Sequence, residues 1–214
     1  IGVLDLLANR CLADGTNAWT DVDHTCYTMM TAGEDGFLNL LPIYLDHVLY
    51  PTLTSSGYVT EVHHINENGE DAGVVYCEMQ ARENTGESKC ERAVMKAMYP
   101  GDSGYISCTG GIMKNIRESL SIKKVRDLHK RFYRPDNLSI IITGQVTPEK
   151  VFEKLAPLEN KILSKGKLPE YIRPWQTPIP PLPATVEQTI TYPSDDDENG
   201  IVLIAWRGPL ANDH

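Results

Sequence analysis

The chain has 214 residues, a formal net charge of −9, 41% hydrophobic and 23% charged residues, an ordinary globular balance. An acidic chain without a long basic run is a poor fit to nucleic acid or to an anionic membrane surface. No apolar stretch reaches the length of a bilayer span or has the shape of a signal peptide's apolar region, and the length accommodates one complete core with sequence to spare.

Ile1, Leu4, Leu7 or Ala8, and Cys11 or Leu12 recur at helical spacing, predicting a helix over residues 1–13 that stops before Asp14-Gly15. Asn17-Ala18-Trp19-Thr20, the polar Asp21-Val22-Asp23 and the Thr- and Tyr-rich run from His24 to Thr31 read as a hairpin. From Phe37 to Leu49 the apolar residues Phe37, Leu40, Leu41, Tyr44, Leu45, Val48 and Leu49 predict a well-buried helix ending before Pro51. Glu61 to Glu70 is polar and reads as a loop. Ala72 to about Met98 predicts a second long helical region interrupted near Gly86 and Ser88.

Val125, Leu128 and Phe132 share one face of a predicted helix over 122–132, closed by the Arg134-Pro135-Asp136-Asn137 turn. The apolar run Leu138 to Ile142 predicts a buried strand, ended by Gly144. Thr147-Pro148-Glu149 has the make-up of a helix start: an N-cap hydroxyl, a proline at the first helical position and an early acid. Between Pro157 and Pro183 lie seven of the fourteen prolines without periodicity, which reads as an extended linker. Asp195-Asp196-Asp197-Glu198 reads as a solvated turn, since it lacks the glycine and spacing of a calcium loop. Ile201 to Trp206 predicts a further strand.

Among residues that could carry chemistry, most have a plain structural reading. The six histidines include no pair spaced i, i+4, so no helix presents two imidazoles to one metal. Adjacent His63 and His64 diverge on a loop or strand. Gly101-Asp102-Ser103-Gly104 resembles a serine-protease segment, but no base or oxyanion partner accompanies it. Gly104 with Gly110-Gly111 lacks the spacing and the basic residue of a phosphate loop. Five cysteines, Cys11, Cys26, Cys77, Cys90 and Cys108, form no C-x-x-C pair and are odd in number, which favours a reducing compartment over a disulfide framework. By itself Glu78 reads as a surface acid on an amphipathic helix.

Four segments, taken together and in this order, change that reading. They are Leu7 to Arg10 leading through Gly15-Thr16-Asn17-Ala18-Trp19-Thr20 to His24-Thr25-Cys26-Tyr27; Gly73 to Gln80; Gly104-Tyr105 with Gly110-Gly111; and Phe132-Tyr133-Arg134-Pro135-Asp136-Asn137-Leu138 running to Gly144. This series resembles the pitrilysin/insulinase metallopeptidases, the inverted-motif zincins, and in particular their presequence-protease-like branch. The resemblance covers about residues 1–160 and the linker.

The resemblance implies an α+β fold with helices packed on one face of a mostly antiparallel sheet. It divides the chain into a peptidase-like domain over 1–160, a proline-rich linker over 161–200, and the first strand of a second domain over 201–214. It implies that Glu78 is the distal ligand of a catalytic Zn2+ and that Asp71 supports the site from behind. It further implies that Asn17, Ala18 and Trp19 form an edge strand that pairs with the backbone of a peptide or unfolded polypeptide substrate.

In that family the other two zinc ligands and the general base belong to H-x-x-E-H, which does not occur in these 214 residues. The expectation is therefore a zinc metalloendopeptidase whose remaining parts, an upstream helix and a second half, lie outside this sequence. The chain alone is expected to bind no zinc and to be inactive, with a cytoplasmic or mitochondrial location. A non-catalytic scaffold of the same fold that binds no zinc is the alternative.

Overall fold

The computed structural model describes residues 2–174, 176, 178–195 and 198–209. The fold is α+β, with helices and two small antiparallel sheets among the described residues. The chain forms two compact units: Ile1–Thr20, His24–Thr54 and Ser121–Ile172 make the first, and Asp21–Asp23, Ser55–Leu120 and Arg173–His214 the second.

In the first unit, helix α1 (Val3–Arg10) ends at Cys11, and Leu12 takes a left-handed φ of 55° to turn the chain directly into strand β1 (Ala13–Thr20). Asp14-Gly15 therefore does not follow a helix to residue 13. It lies inside β1, where the register shifts between Ala13 and Thr16 and Gly15 supplies a positive φ of 84°. Strand β2 (Thr25–Thr31) pairs antiparallel with β1, placing Asn17 opposite Thr28, Ala18 opposite Tyr27 and Trp19 opposite Cys26.

Helix α2 (Glu34–Leu49) follows, and Gly36 brings its first turn so close to α1 that a β-carbon there would sit 2.3 Å from the Cys11 carbonyl oxygen. Leu38, Leu41 and Leu45, spaced i, i+3, i+7, pack on Val151 and Leu158 of the helix that opens at Pro148, while Leu40 is wholly buried. Each such leucine contributes about 1.5–3 kcal/mol of burial. Tyr44 ties α2 to the hairpin by donating its hydroxyl to the Thr28 carbonyl (2.9 Å).

Helix α8 (Pro148–Ser164) begins where the Thr147-Pro148-Glu149 signal places it and continues through Pro157 as far as Ser164. Salt bridges join Lys150 to Glu34 near both helix starts and Lys161 to Asp46 near both ends, so α2 and α8 run parallel. Among the described residues beyond Ser164 there is no helix or strand.

The expected strand over 138–143 does not form. The segment has no ladder partner among the described residues; Leu138 and Ile142 pack on the α2–α8 core while Ile141 is 88% exposed. A run of β-branched residues makes an extended backbone, but a strand also needs a neighbour to pair with.

The second unit is built around helix α4 (Val74–Glu83). Helix α3 (Ser55–Glu61) leads into a hairpin of β3 (His64–Ile65) and β4 (Asp71–Ala72), so the segment expected as a loop over 61–70 carries the first strand and the turn of a short hairpin. The long helical region expected over 72–98 is two helices, α4 and α5 (Gly86–Met98), divided at Asn84-Thr85. Gly86 and Ser88 lie just inside α5: Thr85 is its N-cap and accepts a hydrogen bond from the Ser88 amide. Tyr76, Met79 and Ile116 form the core, the last from helix α6 (Met113–Glu118).

Residues 201–209 also lack a ladder, contrary to the strand expected at 201–206, and Val202, Ile204 and Trp206 stand 83%, 71% and 81% exposed. Arg207 instead anchors this segment, donating from its guanidinium to the Met98 carbonyl at the end of α5 and lying over the Tyr99 ring. In the first unit, helix α7 (Ile122–Phe132) has the bounds that its apolar face predicts.

Candidate functional site

Two constellations contain the residues that the sequence singles out, one in each unit. The first is the start of α4. Gly73 stands at its N-cap with φ 128°, against the Val62 carbonyl and the His63 amide, a conformation and a spacing that admit only glycine. Two residues earlier, Asp71 has both carboxylate oxygens engaged. Its Oδ1 accepts a hydrogen bond from His63 Nε2 (2.7 Å); its Oδ2 accepts one from the Tyr76 hydroxyl (3.1 Å) and lies 3.5 Å from the Arg117 guanidinium.

The His63 hydrogen bond, opposed by desolvation and reinforced by Tyr76 and Arg117, holds the Asp71 carboxyl below its ordinary value. Burial, and then the bond to Asp71, pushes the Tyr76 hydroxyl up. One carboxylate thus joins β4, α4 and α6. At the far end of α4, Glu83 accepts a hydrogen bond from the Met113 amide (2.6 Å), which ties the helix to the first turn of α6.

Glu78 lies between these two attachments, on the side of α4 away from buried Tyr76 and Met79. Its side chain is 64% exposed, and its ion pair with Arg82 is a long contact of 3.8 Å. Val74, Cys77 and Ala81 share that exposed face with Arg82. The backbone on either side of this exposed acid is held by the Asp71 and Glu83 contacts.

The second constellation is β1. It pairs with β2 along one side, and among the described residues no strand covers the other. Trp19 is 51% exposed. The Asn17 side-chain oxygen accepts the Ala18 amide hydrogen at 2.8 Å, so any other acceptor for that donor must displace it.

Among the described residues no three His, Cys, Asp or Glu side chains converge to hold a metal ion. Glu78 alone does not make a zinc site, which needs three protein ligands and an open position, and Asp71 is turned inward. The adjacent histidines go to different partners, His63 to Asp71 and His64 to the Val59 carbonyl. Ser103 accepts a hydrogen bond from the Tyr105 amide as the cap of a short helical turn, which is a structural role. All five cysteines are free.

Sequence reasoning missed His63, Tyr76 and Arg117 as the partners of Asp71. The available signal was Asn68-Gly69, a hairpin dipeptide that brings residues 64–65 beside 71–72.

Residues 119–214 match the family model for the peptidase M16 inactive domain. Over 206 residues the chain is 46% identical to an uncharacterized protein of Caenorhabditis elegans, covering 96% of this chain and 20% of that protein. An uncharacterized protein of Schizosaccharomyces pombe is 39% identical over 216 residues, 99% of this chain and 21% of its own length. The mitochondrial presequence protease of Xenopus laevis is 28% identical over 184 residues, 80% of this chain and 18% of that protein.

The likeness to the peptidase M16 inactive domain rests on residues 119–214, and the chain spans about a fifth of the length of these relatives. Among the described residues no helix is long and apolar enough to cross a membrane.

Proposed function

We infer that this chain is part of a peptidase M16-type metalloendopeptidase acting on peptides or unfolded polypeptides, to which it contributes one zinc ligand, Glu78. The observation that carries this reading is the state of Glu78: an exposed, loosely paired carboxylate on a helix clamped at both ends. The remaining ligands must come from residues outside these 214, and H-x-x-E-H is the motif that the resemblance supplies.

Asn17, Ala18 and Trp19 are the substrate-pairing segment in this reading, supported by the uncovered edge of β1. The internal bonding of Asp71, to His63 and Tyr76, supports its role behind Glu78, holding the start of α4. A mitochondrial or cytoplasmic location follows the name of the Xenopus relative and the free cysteines.

A second reading, a non-catalytic scaffold of the same fold, is favoured by the family model's description as an inactive domain. The test is Glu78→Gln in the full-length protein, with zinc content and cleavage of an unstructured peptide measured together. Both should collapse if Glu78 is a ligand; retention of either defeats the assignment. Wild-type protein that holds no zinc and cleaves nothing establishes the scaffold reading instead. For the 214-residue chain alone the expectation is no stoichiometric zinc, and one tightly bound zinc per chain would contradict it.

A further inference from the structure

A groove of about 930 Å³ opens in the first unit where three helices end. The parallel helices α2 and α8 both stop there, and α7 joins them through His129, whose Nε2 donates to the Val48 carbonyl (2.9 Å). Tyr50, Tyr133 and Tyr171, with Leu49, Ile162 and Leu168, supply aromatic and apolar lining.

Basic residues near helix C-termini have a plain explanation, since they complement the partial negative charge of the last carbonyls. Here that explanation accounts for only part of the set. His129 is committed to Val48, Arg134 to Asp136 and the Pro169 carbonyl, and Lys161 to Asp46. The helix ends also receive backbone donors, from Tyr50 to the Asp46 carbonyl, Tyr133 to His129 and Lys165 to Ile162.

Lys130, Lys165 and Lys167 remain. Each lines the groove, and among the described residues none is in an ion pair; Lys165 lies 4.5 Å from the centre of the Tyr50 ring. The acids lining the groove are Asp136, already taken by Arg134, and Glu170. A cationic groove on a chain of net charge −9 is a segregation of charge that the overall composition does not suggest.

We propose that this groove binds an acidic peptide segment, with its carboxylates on Lys130, Lys165 and Lys167 and an apolar side chain against Leu49, Ile162 and Leu168. A small inorganic anion would leave the apolar lining wet and most of the volume empty, and an extended polyphosphate has no apolar group to lay against Leu49, Ile162 and Leu168. A peptide that alternates acidic and apolar residues matches both the lysines and the lining. The proposal is independent of zinc and of Glu78.

The test is fluorescence anisotropy of a labelled peptide of alternating Glu and Leu, titrated with the 214-residue chain. The peptide should bind, and a Lys analogue of it should not. Affinity should fall at least about tenfold in the triple variant Lys130→Glu, Lys165→Glu, Lys167→Glu, and should also fall as salt rises from about 0.05 to about 0.3 M. The corresponding triple arginine variant should retain it.

If circular dichroism shows the triple variant unfolded, Lys167→Glu alone, on the exposed segment after α8, carries the same expectation at smaller size. No binding by the wild-type chain, or binding indifferent to these charge reversals, overturns the proposal. So does pyrophosphate or a single-stranded oligonucleotide displacing or matching the peptide, which would make the groove a phosphate site.

Discussion

Replacing Gly73 by alanine tests the idea that the position of Glu78 is built into the backbone at the start of α4. The glycine's φ of 128° lies where side-chain-bearing residues are strained by about 1–3 kcal/mol. An added β-carbon would also meet the Val62 carbonyl oxygen at 2.6 Å, its carbon at 2.8 Å and the His63 nitrogen at 2.9 Å. All three are backbone atoms, so no rotamer change relieves the contact, and overpacking of this kind costs about 1–3 kcal/mol more. The total loss is then about 2–6 kcal/mol, a large share of a domain's typical stability.

Two further glycines separate the contributions. Gly69, with φ 79° and nothing within 4 Å of where an added methyl would stand, carries only the conformational cost, about 1–2 kcal/mol. Gly200, with neither a positive φ nor a neighbour, should change stability by no more than about 0.5 kcal/mol. Urea denaturation of the three alanine variants, with helicity as the signal, gives the order directly. If Gly73→Ala is no more destabilising than Gly69→Ala, the close approach of α4 to Val62 and His63 is not what holds the helix.

Leu40→Ala removes a wholly buried side chain of α2 and should cost about 2–5 kcal/mol in the same assay, with a loss under about 1 kcal/mol showing that the site collapses around the deletion. Asp71 yields a pH prediction. Its carboxyl is held below the ordinary value of 3.8, so its contribution to stability is present above that value and is lost as pH falls through the lower folded-state value. Asp71→Asn should therefore be less stable than wild type at neutral pH, with the difference narrowing on acidification below about pH 4. Parallel stability curves from about pH 7 to about pH 2 would show that the His63, Tyr76 and Arg117 contacts do not depend on the charge of Asp71.

The elements most legible in the sequence are those in which local signals agree. Helix α7 has a clear apolar face and a turn behind it, and α8 opens at a Thr-Pro-Glu start. The hairpin of β1 and β2 is marked by its Thr- and Tyr-rich strands and the acidic turn between them. Glu78 was legible as a helical residue from the pattern, and as something more only through the resemblance of the surrounding segments. Of the network at Asp71 only the hairpin that brings up His63 had a signal, Asn68-Gly69; Arg117 comes from a distant helix, and its spacing in the chain does not announce that meeting.

By itself the sequence determined the character of each segment: which residues favour helix, where proline and glycine interrupt, which faces are apolar. Tertiary structure decided what each segment does with that character. Leu138 to Ile142 and Ile201 to Trp206 have the composition of strands, yet both stay unpaired among the described residues, since a ladder depends on a neighbouring strand and not on the propensity of one. Likewise a scatter of lysines with no motif in sequence became a cationic groove only because α2, α7 and α8 end together. Glu78 follows the same logic: its chemistry is written in one residue, but its exposure and its fixed position come from contacts at Asp71 and Glu83, several residues away along α4 and its approach.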